Sequence, residues 1–195
     1  MSKPTSEQIL DVAEDAFAER GFGDASLSDI AATVGISGPG IYKHFKSKRA
    51  VYEAVMARLI DPYFEIMEKE IRTEEPEGDV MALVRRLLLH HVEHPNLARL
   101  VQHAALAGGE QIELLVERWY RPAFLLARER LFESESPLSE DAMRTAIMAF
   151  HSMILGYVSL ASLHGKIFGV DPLGETEVER FYEVIRLVTE DFRSG

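Results

Sequence analysis

Four cations, Lys43, Lys46, Lys48 and Arg49, stand in a window with no acidic residue between Asp29 and Glu53. Interleaved with Tyr42 and His44, they form a local positive field of the kind that docks on a phosphate backbone. A second constellation, His90-His91-Val92-Glu93-His94, matches the H-x-x-E-H pattern, in which two histidines one helical turn apart hold zinc and the glutamate serves as base. His90 and His94 would share a helical face, as two ligands require. Pro95 ends that helix at once and no third ligand is signalled, so metal-dependent hydrolysis stands only as an alternative.

The chain as a whole is acidic, with a formal net charge of -11 over 195 residues. Net charge alone argues against nucleic acid, but the charge is unevenly spread. Residues 1–60 carry seven Lys/Arg and eight Asp/Glu, a net of -1, and the remainder carries -10. The positive patch thus belongs to a nearly neutral head and the acidity to a larger body. Cysteine is absent, which removes disulfides and thiolate chemistry and fits a reducing, cytoplasmic setting. MSKPTSEQIL has no apolar run of the kind a secretory signal needs.

The elements that must position the patch are helical. Apolar residues Ile9, Val12, Ala13, Ala16 and Phe17 predict a helix over 5–20, with Thr5 and Gln8 as a capping box and Gly21 at its end. Ser26 opens a second helix and Gly35 closes it with a turn that needs positive φ. Ser37 caps a third, with Pro39 in its first turn, where a missing N–H costs little. Ile41 and Phe45 should pack inward, leaving Tyr42, Lys43 and His44 outward, although a ring such as that of Tyr42 can also be a core aromatic. A fourth helix runs from Lys48 to Ile71, and Pro62 should bend or break it. After a loop at 73–79, helices are expected over about 80–94, 95–106, 110–132, 139–164 and 175–192. No stretch alternates with period two, so the fold class is all-α.

Two helices joined at Gly35, with Ala31 at their crossing and Ile36 and Ile41 as anchors, meet the demands of a helix-turn-helix. Ala31, Gly35-Ile36-Ser37, Ile41-Tyr42, His44-Phe45 and Lys46-Ser47-Lys48 resemble the DNA-binding domain of the TetR family of bacterial repressors. The resemblance covers residues 5–60; beyond them it extends only to architecture. It implies a head over 1–50 and a helical regulatory and dimerisation body over 51–195. It also implies that Tyr42, Lys48, Ser37 and His44 contact the DNA backbone, Lys48 from a helix N-terminus. Ser28 would reach phosphate or base, and Gly38, Pro39, Gly40 and Lys43 would face the bases. Gly38-Pro39-Gly40 departs from the expected pattern by offering almost no side chain, which leaves Lys43 as the long donor and gives weight to DNA shape.

The resemblance further implies a homodimer on a near-palindromic operator and a small effector that releases it, with no cofactor; regulation without an effector is the alternative. Phe64, Met67, Leu87, His91, His103, Trp119, Phe124 and His151 are the candidate pocket residues, a mostly apolar set. If His91, His103 and His151 converge, the effector carries an acceptor. Thr145 to Leu163 spans nineteen residues without a formal charge. A membrane span is one reading of this run; burial on all sides, with one face against a second subunit, is the other. The last helix offers Val178, Phe181, Tyr182, Ile185, Val188 and Thr189 as its partner stripe, so that two helices from each chain would form the interface.

Overall fold

The computed structural model describes residues 3–71, 80–133 and 139–194, and every regular element among them is helical. The loop expected at 73–79 and most of the turn after Glu133 lie outside the described residues. Helix α1 (Thr5–Asp24) buries Ile9, Ala13, Ala16 and Phe17. The proposed capping box does not form: Thr5 is already helical, and the Pro4 carbonyl accepts from the N–H groups of Glu7 and Gln8 at 3.0 and 3.1 Å. Gly21, at φ 72° and ψ 173°, breaks the helix near its end. Phe22 then folds back into an aromatic trio, its ring 6.1 Å from Phe17 and 5.1 Å from Tyr52.

Helix α2 (Leu27–Val34) starts on Ser26, whose Oγ accepts from the Asp29 N–H at 3.4 Å. Gly35 ends it in the left-handed region at φ 82°. The Ile36 N–H donates to Ala31 O at 2.9 Å and the Gly35 N–H to Ala32 O at 3.1 Å, the paired bonds of a Schellman turn. A Cβ on Gly35 would meet no atom within 4 Å, so the demand for glycine here is one of backbone alone. Gly35→Ala is therefore expected to cost about 1 kcal/mol, the left-handed penalty for an L-residue. In a chain this long that lowers the melting temperature by roughly 2–4 °C, and an unchanged melting curve would remove strain as the reason.

The third helix is a single 3₁₀ stretch, Gly38–Lys43, capped by Ser37 Oγ, which accepts from the Gly40 N–H at 3.1 Å. Helix α3 (Lys48–Ile71) is capped by Ser47, whose Oγ accepts from the Ala50 N–H at 3.1 Å. Pro62 sits inside α3 without ending it. The proline is exposed while Leu59, Ile60 and Tyr63 beside it are buried, so packing on the inner face holds the helix across the missing N–H.

The body consists of α4 (Val80–Glu93), α5 (Pro95–Ala107), α6 (Gly109–Leu115), a π turn at Val116–Tyr120, α7 (Arg121–Glu133), α8 (Glu140–Ser159), α9 (Ala161–Phe168) and α10 (Glu175–Ser194). The helix expected over 139–164 breaks at Leu160, where α8 and α9 meet at 61°. No single described helix is long and apolar enough to cross a membrane, although the bent α8–α9 pair passes by length and composition. Within the single chain, Met143, Ile154, Leu155 and Val158 of α8 are buried, while Ile147 and Met148 are exposed.

One cluster of buried side chains runs from Ile9, Phe17, Ile30 and Ile41 through Val55 and Met56 to Leu97, Leu100, Trp119 and Val158. Helix α5 lies between head and body and carries this continuity. Asn96 donates to Glu14 and Asp15 of α1 at 3.1 and 2.9 Å, and the His103 ring lies 3.3 Å from where a Cβ on Gly21 would stand. A second cluster gathers Tyr63, Val84, Leu88, Ile154, Val178 and Ile185 under α10.

Candidate nucleic-acid interface

The recognition stretch is oriented by one residue. Ile41 is fully buried, with Ile36 and Phe45 half-buried beside it, and a short helix anchored there must turn its other face outward. Tyr42 is 57% exposed, which removes the core-aromatic reading. Lys43, His44, Pro39, Ser37 and Ser28 are exposed, and Gly38 and Gly40 are half-buried. Ser28 Oγ lies 2.9 Å from Ser26 Oγ, so the cap of α2 also holds the hydroxyl next to the tip.

The four cations separate into two kinds. Lys43 and Lys46 are exposed and make no ion pair among the described residues. Lys48 Nζ donates to Gly23 O at 2.8 Å and lies 4.8 Å from the centre of the Phe22 ring. It ties the start of α3 to the α1–α2 connection, with further N–H bonds left for a phosphate. Arg49 bonds Glu53 at 2.7 Å and, across from head to body, Glu110 at 2.9 Å. The Glu53 bond, with the Glu110 charge behind it, raises the guanidinium pKa further. Arg49 is thus a tie between α3 and α6 rather than a free member of the patch.

In the body the candidate residues fall into separate places. Phe64, His91 and His151 are linked through two tyrosines. Tyr63 meets His91 at 5.1 Å and Phe64 at 5.2 Å; Tyr120 meets Phe64 at 5.7 Å, and its hydroxyl is 3.0 Å from His151 Nε2. Leu87 joins this group through its carbonyl, 2.9 Å from His91 Nδ1, and Met67 packs on the same cluster. Trp119 is buried in the other cluster and donates from Nε1 to Asp61 Oδ1 at 2.6 Å. Phe124 is half-buried on α7. His103 lies at the head–body junction beside Gly21. The three histidines therefore do not converge, and the acceptor-bearing effector that depended on their convergence loses that support.

Burial sets the protonation of this region. It pushes His91 down to about 4, against the bond to the Leu87 carbonyl, and lowers His151 in the same sense. Tyr63 and Tyr120 are raised by burial and stay protonated. The H-x-x-E-H segment is spent on structure. His90 and His94 rings are 4.7 Å apart, but His90 is buried with Nε2 2.8 Å from Leu59 O, and no three potential ligands gather among the described residues. An open cleft of about 510 Å³ lies elsewhere, between Arg49 and Glu110, Glu113, Leu114, Glu117 and Arg118; none of the eight pocket candidates lines it.

Sequence reasoning missed Tyr63 and Tyr120 as polar members of the body interior. Tyr63 lies on α3 beside Phe64, which the sequence did single out. Tyr120 had no readable signal, because the π turn is what brings it and Trp119 inward together.

Residues 9–55 match the family model of the bacterial regulatory proteins, tetR family. Among curated relatives, the transcriptional repressor BepR of Brucella suis is 36% identical over 72 residues, 37% of this chain and 34% of that protein. The transcriptional activator FasR of Mycolicibacterium smegmatis is 30% identical over 87 residues, 45% of this chain and 40% of that one. The chain therefore spans well under half the length of these relatives. The fold is shared over the full length: a TetR-family transcriptional regulator from Bordetella parapertussis superposes with a TM-score of 0.71 at 18% identity, covering 94% of this chain and 95% of that one. The relatives named here are transcriptional regulators. Residues 9–55 thus match the N-terminal domain of the bacterial regulatory proteins, tetR family, and the chain over nearly its whole length takes the fold of a solved regulator that carries that domain.

Proposed function

We propose that the chain is a cytoplasmic transcriptional repressor that binds a near-palindromic operator as a homodimer and is released by a small, mostly apolar effector. The observation that carries the reading is the Schellman-turned helix pair, which buries Ile41 and leaves Tyr42, Lys43 and His44 exposed around it. In this arrangement the 3₁₀ helix enters the major groove. Tyr42, Ser37, His44 and Lys48 hold phosphates, Ser28 reaches phosphate or base, and Gly38, Pro39, Gly40 and Lys43 face the bases. Half-sites about 34–36 Å apart suit two heads held by a dimeric body. The head over 1–50 and the body over 51–195 act as one unit through α3 and α5.

Exposed Ile147 and Met148 on α8 and Val184, Leu187 and Val188 on α10 support the dimer. The expected stripe is displaced: Val178 and Ile185 are buried within the chain, Phe181 and Tyr182 pack beside them, and Tyr157 stacks on Phe181 at 3.8 Å. We put effector binding around Phe64, Met67, Leu87, His91 and His151, where a buried and a half-buried hydrogen-bonded histidine stand among apolar side chains. The packing of Phe64 and His151 directly on Tyr120 favours a second reading, repression without an effector.

Selection of bound duplexes from a random pool tests the function. Lys48→Ala is expected to weaken binding to all duplexes, reduce the salt slope by about one, and lower the melting temperature as well, since its bond to Gly23 is lost. Lys43→Ala should leave melting unchanged and relax one base pair of the selected sequence. A wild-type protein that enriches no sequence would defeat the proposal.

A further inference from the structure

The apolar side chains of α3 divide at Pro62. Val51, Val55, Met56, Leu59 and Ile60 share one cluster with α1, α2 and α5, whereas Tyr63, Ile66 and Met67 join the cluster under α10. Among the described residues, α8 is the other element with buried side chains in both, Leu155 and Val158 in the first and Ile154 in the second. Pro62 has no N–H, so α3 lacks the backbone bond that would otherwise run from this position to the Arg58 carbonyl. The helix is thus weakest where its two cores part.

The π turn at Val116–Tyr120 meets both elements that cross this seam. Its wide turn brings two consecutive side chains inward. The buried Trp119 donates from Nε1 to Asp61 Oδ1 at 2.6 Å, on the N-terminal side of the proline. Tyr120 sets its ring 5.7 Å from that of Phe64, on the C-terminal side, and its hydroxyl 3.0 Å from His151 Nε2 of α8. We propose that Trp119 is a positioning residue for DNA binding: its N–H, held on Asp61, fixes the angle of α3 at Pro62 and with it the separation of the two heads in a dimer. This rests on the dimeric DNA-binding reading above. The head shares its cluster with the N-terminal part of α3, whereas α10, whose exposed face is offered to the dimer, packs on the other cluster. A change of angle at the seam therefore moves each head relative to the dimer axis, and half-sites a fixed helical distance apart register that movement.

The test uses the full chain, the duplex it selects, and versions of that duplex with the half-sites moved one base pair apart or together. Wild type is expected to prefer the selected spacing. Trp119→Phe keeps most of the ring and loses the N–H; it should stay dimeric and lose about tenfold of that preference, the scale of one hydrogen bond to a charged group. Asp61→Ala removes the acceptor and leaves the ring in place, so it should lose the preference equally, and it carries the test if Trp119→Phe fails to fold. Asp61→Asn keeps an oxygen that can accept and should discriminate between spacings as wild type does. A lower melting temperature with the spacing preference intact in Trp119→Phe and Asp61→Ala would leave the bond a purely structural role and overturn the proposal. An equal loss in Asp61→Asn, or a wild type that binds all three spacings alike, overturns it too. A wild-type protein that selects no duplex defeats the DNA-binding reading itself and this inference with it.

Discussion

Leu187→Glu is expected to convert the proposed homodimer to monomers and to lower affinity for its selected duplex by roughly two to four orders of magnitude, the gain that joining two heads supplies. Leu187 is 58% exposed, and Val184 and Val188, at helical spacing around it, are 51% and 45% exposed. The opposite face of α10 is already used, with Val178 and Ile185 buried against Tyr63, Leu88 and Ile154. An apolar side chain brought from water into an interface contributes about 1.5–3 kcal/mol at full burial, so Val184, Leu187 and Val188 on α10, with Ile147 and Met148 of α8, are the surface whose burial would favour the proposed dimer. A glutamate at the centre of that surface would be buried without a partner, and an unpaired buried charge costs several kcal/mol. Sedimentation velocity reads the mass and a mobility-shift titration reads the affinity. Leu106→Glu is the control, because Leu106 is 88% exposed at the end of α5 and lies outside the α8 and α10 surface. A Leu187→Glu protein that stays dimeric, or a Leu106→Glu protein that falls apart equally, would place the interface elsewhere.

What could be read from the sequence follows the range of the interactions. Gly35, Ser26 and Ser37 were legible because their tasks are local: a left-handed turn and two caps close within a few residues. Ile41 was legible as an anchor for the same reason, and with it the outward face of the recognition helix. The partners of Lys48 and Arg49 were not, since Gly23 O and Glu110 lie 25 and 61 residues away along the chain. A run of cations shows only that charge is present, and long-range pairing decides how much of it stays available. The break at Leu160 also had no signal, for the chain offers neither proline nor glycine at that residue. On α10 the apolar pattern was visible, but both sides of the helix carry apolar residues. Which side the monomer keeps for itself depends on α4 and α8. The body histidines failed as a group because residue type says nothing about convergence: His103 went to Gly21, and His91 and His151 to two tyrosines.

The buried histidines make stability fall on the acid side. His91 titrates near 6.5 in the unfolded chain and is pushed down to about 4 by burial in the folded one. Above pH 6.5 it is neutral in both states and its place in the core is fully stabilising. Between pH 6.5 and 4 the unfolded chain takes up a proton that the folded chain refuses, so stability drops as pH falls through this window. A depression of that size corresponds to about 3 kcal/mol, and His90 and His151 are shifted in the same direction. His91 Nδ1 lies 2.9 Å from Leu87 O and donates to it; burial keeps the ring neutral against this bond, which by itself favours the charged form. Glutamine can donate to the same carbonyl without titrating. His91→Gln is therefore expected to be less stable than wild type at pH 7.5 and to close most of that gap by pH 4.5, because only the wild type carries the proton penalty. Urea unfolding at a series of pH values measures both proteins, and taking their difference cancels the carboxylates they share. Parallel stability curves from pH 7.5 to 4.5 would show that His91 accepts its proton in the folded state as readily as in the unfolded one.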